Sequence, residues 1–191
     1  MPTMLVVIAG PAGTGKTTVA DQLADAIGAP HVDFDTAGAG LLEAARADRP
    51  HEDVSTLLAD LREVRYEALA EAVRTALSAH PVVIASAPFT RHVADPRLWA
   101  EWLSAADPRS PSGAVALLWL DLEPAERWRR LMTRGSDRDG PALANGPDAL
   151  PAEAPAVPCT VLDASADPQE LLRAALAAIA RGASGPIGDS V

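Results

Sequence analysis

Cysteine, lysine and aromatic side chains are all scarce in this sequence. Its 191 residues include one cysteine, four tryptophans, two phenylalanines, one tyrosine and a single lysine, Lys16. Cys159, alone, can form no internal disulfide and leaves no Cys/His set for zinc, so a reducing cytoplasm is the default compartment. Long apolar runs are missing too. One of the longest, Ala114–Leu120, suits a buried strand and falls well short of a membrane span. No basic stretch precedes the apolar segment near the N-terminus, so no signal peptide is expected. Positive charge is in deficit, with Lys+Arg 16 against Asp+Glu 26 and a formal net charge of -10. With no basic block either, this balance argues against DNA or RNA as a partner.

What remains reads as a helix-rich globular chain, 48% hydrophobic and long enough for one substantial core. Five short apolar segments, Leu5–Ala9, His31–Phe34, Val82–Ala87, Val115–Leu122 and Thr160–Leu162, alternate with helical patterns. Near-continuous apolarity, as in Leu5-Val6-Val7-Ile8, is the mark of strands covered on both faces. Asp95-Pro96 and Asp167-Pro168 each pair an N-cap with proline at the first helical position. A long helix is expected over Asp53–His80, its apolar stripe running through Leu57, Leu61 and Leu69 with Arg65 inside it and Arg62 at its edge. Strands alternating with helices predict an α/β fold with a five-stranded parallel sheet between helical layers. Residues 1–181 are expected to form one domain, with a mobile lid and flanking loop at about 134–158 and a flexible tail at 182–191.

Gly10-Pro11-Ala12-Gly13-Thr14-Gly15-Lys16-Thr17 matches G-x-x-x-x-G-K-[ST] at each fixed position, directly after a predicted strand and opening a helix. Glycines let the backbone turn its N–H groups inward on a phosphate, and the helix N-terminus adds its positive end. The lysine reaches the outer phosphates, and the Thr17 hydroxyl, with Thr18 behind it, suits Mg²⁺ and phosphate. Chance would give this pattern in a chain of this composition with odds on the order of 5 in 10,000. The single lysine falls where a triphosphate needs one. Nucleotide binding follows, with Mg²⁺ as the implied metal.

Other residues suggest chemistry beside that loop. Asp33 and Asp35 are placed by alternation on one side of an extended strand, at the sheet edge where ligands bind. One carboxylate can support Mg²⁺ and the other accept a proton from an attacking hydroxyl, or one of them can cap a helix starting near Thr36. Arg65, inward-facing, needs an anion, either a substrate group or an internal carboxylate such as Asp33. Arg91 follows the third strand and can reach a substrate; His92 can too, although a lone loop histidine is more often just exposed. Ser86 stands where many such proteins carry a second metal-binding aspartate. Downstream, Arg127 and Arg129 read as a solvated face, and Arg134 and Arg138 as arginines aimed at phosphates.

Together these features resemble the P-loop small-molecule kinases, especially the shikimate and gluconate kinase group, over about Leu5 to Arg181. The resemblance implies a P-loop NTPase-type fold and transfer of the ATP γ-phosphoryl group to a hydroxyl of a small polar, anionic metabolite or antibiotic-like compound. It implies Asp35 as base, Asp33 beside magnesium, Lys16 and Arg138 at the γ-phosphate, and Arg134 on adenine next to the loop Asp163–Pro168. Arg62, Arg65 and Arg91 are the implied substrate arginines. The triple glycine of shikimate kinases and the lid histidine and lysines of gluconate kinases are absent, so neither substrate carries over. Alternative readings are a nucleoside, nucleotide or polynucleotide kinase, and a nucleotide-binding regulatory protein without an acceptor.

Overall fold

The computed structural model describes residues 3–108, 114–136, 139, 143, 146 and 154–182. Five strands, β1 (Met4–Ala9), β2 (His31–Asp33), β3 (Val82–Ser86), β4 (Ala114–Asp121) and β5 (Thr160–Asp163), form one sheet in the order β2-β3-β1-β4-β5. All four pairings are parallel. Each expected strand is present, with ends shifted by no more than a residue. β2 stops before Phe34 because the Asp33 side chain caps the short helix α2 (Phe34–Ala37), accepting from the backbone N–H groups of Asp35 and Thr36. The remaining described helices are α1 (Lys16–Ile27), α3 (Ala39–Asp48), α4 (Val54–Asp60), α5 (Arg62–Ala79), α6 (Thr90–Ala94), α7 (Pro96–Ala106), α8 (Pro124–Arg134) and α9 (Pro168–Gly182).

The apolar runs are explained by two cores, one on each face of the sheet. From β1, Met4, Val6 and Ile8 enter a core closed by Val19, Ala20 and Leu23 of α1 and Leu171, Ala175 and Ala178 of α9. Leu5, Val7 and Ala9 enter the opposite core, closed by α5, α6 and α7. A strand in that position has no face left for a polar residue. The helix starts also follow the sequence. Asp95 accepts from the Arg97 N–H at 2.9 Å, and Asp167 from the Gln169 N–H at 2.9 Å.

The long helix expected over 53–80 is instead two helices. Leu61, at φ -84 and ψ 1, leaves helical geometry between α4 and α5. Tyr66, Leu69, Ala70, Val73 and Leu77 make the buried face of α5, and Arg65 lies at its N-terminal end, 6% exposed. Among the described residues, no helix is long and apolar enough to cross a membrane.

Most of the scarce aromatic residues are gathered in one core. Tyr66 packs on Phe34 and Phe89, with ring centroids 4.6 and 5.2 Å away, and Phe89 meets Trp99 and Trp102 edge-on. Phe89 follows β3 with φ 51, a left-handed conformation that is unfavourable for a bulky side chain. Its N–H is satisfied by the Tyr66 hydroxyl at 2.9 Å. A single tyrosine thus holds the turn that carries Thr90, Arg91 and His92 to the sheet edge.

Two predictions follow from this packing. Leu23→Ala, at a fully buried site, should cost about 2–5 kcal/mol in urea unfolding, whereas Val161→Ala on the exposed face of β5 should stay within about 0.5 kcal/mol. Burial pushes the Tyr66 phenol up to about 12. The folded state therefore retains a proton that the unfolded chain loses near pH 10, so stability falls as pH rises from about 10 towards 12. Because Tyr66 is the sole tyrosine, its phenolate absorbance can be followed directly. Ionisation should be delayed to about pH 12 or coincide with unfolding; a midpoint near 10 in folded protein would contradict the packing.

Candidate active site

The carboxyl edge of the sheet opens into a cleft of about 750 Å³. At one end the phosphate loop joins β1 to α1 and is shaped by its glycines. Gly13 has φ +87, and a Cβ there would stand 2.9 Å from the Arg127 carbonyl oxygen; at Gly10, φ +147, it would stand 2.7 Å from that of Leu120. β4 and α8 therefore press on the loop where only glycine fits. The buried Thr14 donates its hydroxyl to the Pro11 carbonyl at 3.0 Å, and the Lys16 ammonium reaches the same carbonyl at 2.8 Å. Lys16 thus lies across the loop's mouth, above the N-terminus of α1.

Asp33 links this loop to the rest of the site. Its Oδ1 caps α2 through Asp35 N at 3.0 Å and Thr36 N at 3.1 Å. Its Oδ2 accepts from Ser86 Oγ at 3.0 Å and lies 3.4 Å from Thr17 Oγ1. Of the two roles open to the Asp33/Asp35 pair, capping therefore falls to Asp33. The bend it creates takes Asp35 off the strand and onto α2, so the two carboxylates do not share one extended face. A hydroxyl and a carboxylate oxygen side by side at a helix N-terminus are hard donors suited to Mg²⁺. Among the described residues no group of three or more His, Cys, Asp or Glu could hold a metal ion, so a cation here would draw its other ligands from phosphates and water.

Asp35 accepts from Arg65 Nη2 at 2.7 Å. The Arg65 guanidinium is buried, lies 4.2 Å above the Phe34 ring, and has no hydrogen-bond partner for Nε. It has found an internal carboxylate, and that carboxylate is Asp35. Arg62 and Arg91 also line the cleft, with Arg91 held to Glu63 at 3.1 Å in an exposed pair. Thr18 lines it at the loop end, and Arg134 at the α8 end. Arg134 is paired through Nε with Asp139 Oδ2 at 2.8 Å. Arg138 and most of the expected lid lie outside the described residues. The loop Asp163–Pro168 touches α8 through Arg130, which donates to the Ala164 carbonyl at 3.2 Å, and is not among the residues lining the cleft.

Two residues differ from the sequence reading. Arg127 is not on a solvated face: it is 3% exposed and donates Nε to the Leu122 carbonyl at 3.1 Å, beneath the phosphate loop. Helical spacing alone could not show that α8 packs on Gly13. His92 is not an exposed loop residue either. It is buried in α6 with its ring 4.1 Å from that of Tyr66, and burial pulls its imidazole below the ordinary value. Tyr66 and Ser86 also line the cleft. Tyr66 is the next residue along the helix from Arg65; the part Ser86 plays depends on cross-strand register, which no local pattern reveals.

Comparison with known proteins agrees with this architecture. A family model described as an AAA domain matches residues 5–146. No curated protein matches the sequence. Similar solved structures include a gluconokinase from Sinorhizobium meliloti 1021, with a TM-score of 0.61 and 19% identity over 94% of this chain and 93% of that one. A sugar kinase from Janibacter sp. HTCC2649 gives 0.63 and 24% over 94% and 95%. A shikimate kinase from Aquifex aeolicus vf5 gives 0.55 and 15% over 95% and 99%. At these identities the likeness is one of fold, and it matches the P-loop kinase group that the motifs resemble. Since the family model runs from β1 past the end of α8, the chain belongs to the AAA domain family of P-loop proteins.

Proposed function

We propose that the protein is an ATP- and Mg²⁺-dependent kinase that phosphorylates a hydroxyl of a small polar metabolite or antibiotic-like compound. The observation that carries this reading is a single cleft with the phosphate loop at one end and the Asp35–Arg65 pair beside it. Lys16 and the loop N–H groups would hold the β- and γ-phosphates. Thr17 and Asp33 would hold Mg²⁺, which when bound neutralises charge on the phosphates. The acceptor oxygen attacks the γ-phosphorus, its proton passes to Asp35, and the bond from phosphorus to the β–γ bridging oxygen breaks to release ADP. Arg65 holds the Asp35 carboxylate towards the cleft. Arg138 would close from the lid and Arg134 would pack on adenine.

The acceptor wall favours a polar, hydroxylated molecule over a bare polyanion. Arg65 is already matched by Asp35 and Arg91 by Glu63, so these arginines present hydrogen-bond donors without a large unbalanced charge. Tyr66, Thr90 and Arg62 complete that wall.

ATP turnover against a panel of hydroxylated metabolites tests the proposal. A true acceptor should stimulate ADP release and appear phosphorylated. Asp35→Asn should lower that transfer by about 10²-fold or more while nucleotide still binds; Lys16→Ala should weaken nucleotide binding itself. Transfer by Asp35→Asn at the wild-type rate would remove Asp35 as base. ATP binding with no stimulation by any acceptor would favour a regulatory nucleotide-binding protein.

A further inference from the structure

A closed circuit of polar side chains lies behind the phosphate loop. Asp21 and Thr17 are one turn apart on α1, and His31 and Asp33 project to the same side of β2. Asp21 Oδ1 lies 2.7 Å from His31 Nδ1, and His31 Nε2 lies 2.8 Å from Ser86 Oγ. Ser86 Oγ lies 3.0 Å from Asp33 Oδ2, which in turn stands 3.4 Å from Thr17 Oγ1. The sheet fixes the crossing point, because Asp33 and Ser86 are register partners in the β2–β3 pairing.

The circuit has a direction. A carboxylate only accepts and a serine hydroxyl has one proton to give. Ser86 gives that proton to Asp33, so its oxygen must accept from His31 Nε2. Asp21 likewise only accepts, so His31 donates from Nδ1 to Asp21 as it does from Nε2 to Ser86, and the two bonds fix the plane of the ring. An acyl-transfer role for this Asp-His-Ser array is ruled out by the same geometry: the Ser86 oxygen is already committed to a carboxylate, whose charge would oppose an oxyanion beside it.

We propose that His31 is a positioning residue for the cation end of the site. It aligns the Ser86 hydroxyl so that Asp33 keeps Oδ2 turned to Thr17 while Oδ1 caps α2. Where an aspartate at the end of β3 would hold a cation through its own charge, Ser86 and His31 instead orient the Asp33 carboxylate. This rests on the reading above that Thr17 and Asp33 receive Mg²⁺. Partners behind a metal ligand typically govern metal affinity by 10- to 100-fold.

The test is the affinity for ADP, measured by calorimetry with Mg²⁺ and again in EDTA. The ratio of the two reports the metal's contribution without any turnover. His31→Leu and Ser86→Ala should each lower that ratio by about tenfold and leave the EDTA affinity unchanged. His31→Gln, which places an amide N–H near Nε2, should restore most of it. The double variant should lose no more than either single one, since both cut the same circuit. Ser86→Ala removes one oxygen and carries the test even if His31→Leu does not fold. Unchanged ratios in the single variants, a Gln variant as impaired as Leu, or multiplying losses in the double variant would overturn the role of His31 alone. A wild-type ratio of one would overturn the cation site itself, and this proposal with it.

Discussion

The carboxylate of Asp33 stands where β2, α2, β3 and the phosphate loop converge, and its two oxygens have different work. Oδ1 satisfies two backbone N–H groups that would otherwise open the start of α2. Oδ2 faces the hydroxyls of Ser86 and Thr17. The first engagement ends the strand and turns the chain, so Asp35 leaves the sheet and meets Arg65. The second ties the turn to the first residues of α1. The cap therefore fixes the position of the second carboxylate, and the spacing between the phosphate loop and the proposed proton acceptor depends on it.

The loop itself is held from behind. β1 is buried on both faces, and its exit is pinned by β4 and α8 so closely that Gly10 and Gly13 have no room for a Cβ. Arg127 contributes from beneath by bonding the Leu122 carbonyl just past the end of β4, a structural use of arginine in a chain that relies on arginine for nearly all its positive charge. On the opposite side of the cleft, the Tyr66 hydroxyl supports the strained turn at Phe89. Both ends of the cleft are thus anchored in packed core, which suits the proposed role of holding two reactants in line.

Much of this was legible in the sequence because it depends on local pattern. Strands buried on both faces must be apolar throughout, so Leu5–Ala9 and Val115–Leu122 identified themselves. The phosphate loop is contiguous, and Asp95-Pro96 and Asp167-Pro168 carry their helix starts in two residues. What could not be read depends on how distant segments meet. The break at Leu61 interrupts a periodicity that continues through it. The partner of Arg65 is Asp35 and not Asp33 because a cap bends the chain between them. The burial of Arg127 comes from the close approach of α8 to Gly13, and the Ser86–Asp33 contact from the β2–β3 register. The sequence supplied these side chains; their partners were decided by tertiary packing.

The single lysine offers the most direct test of the central claim, that the cleft holds a nucleotide by its phosphates at Lys16. Apart from the N-terminal amine, Lys16 is the one aliphatic amine in the chain, and it is only half-buried. Acylation by an amine reagent, read peptide by peptide in a mass spectrometer, therefore follows this one side chain. ATP with Mg²⁺ should protect Lys16 saturably while labelling of the N-terminus is unaffected. Equal labelling of Lys16 with and without saturating nucleotide would contradict it.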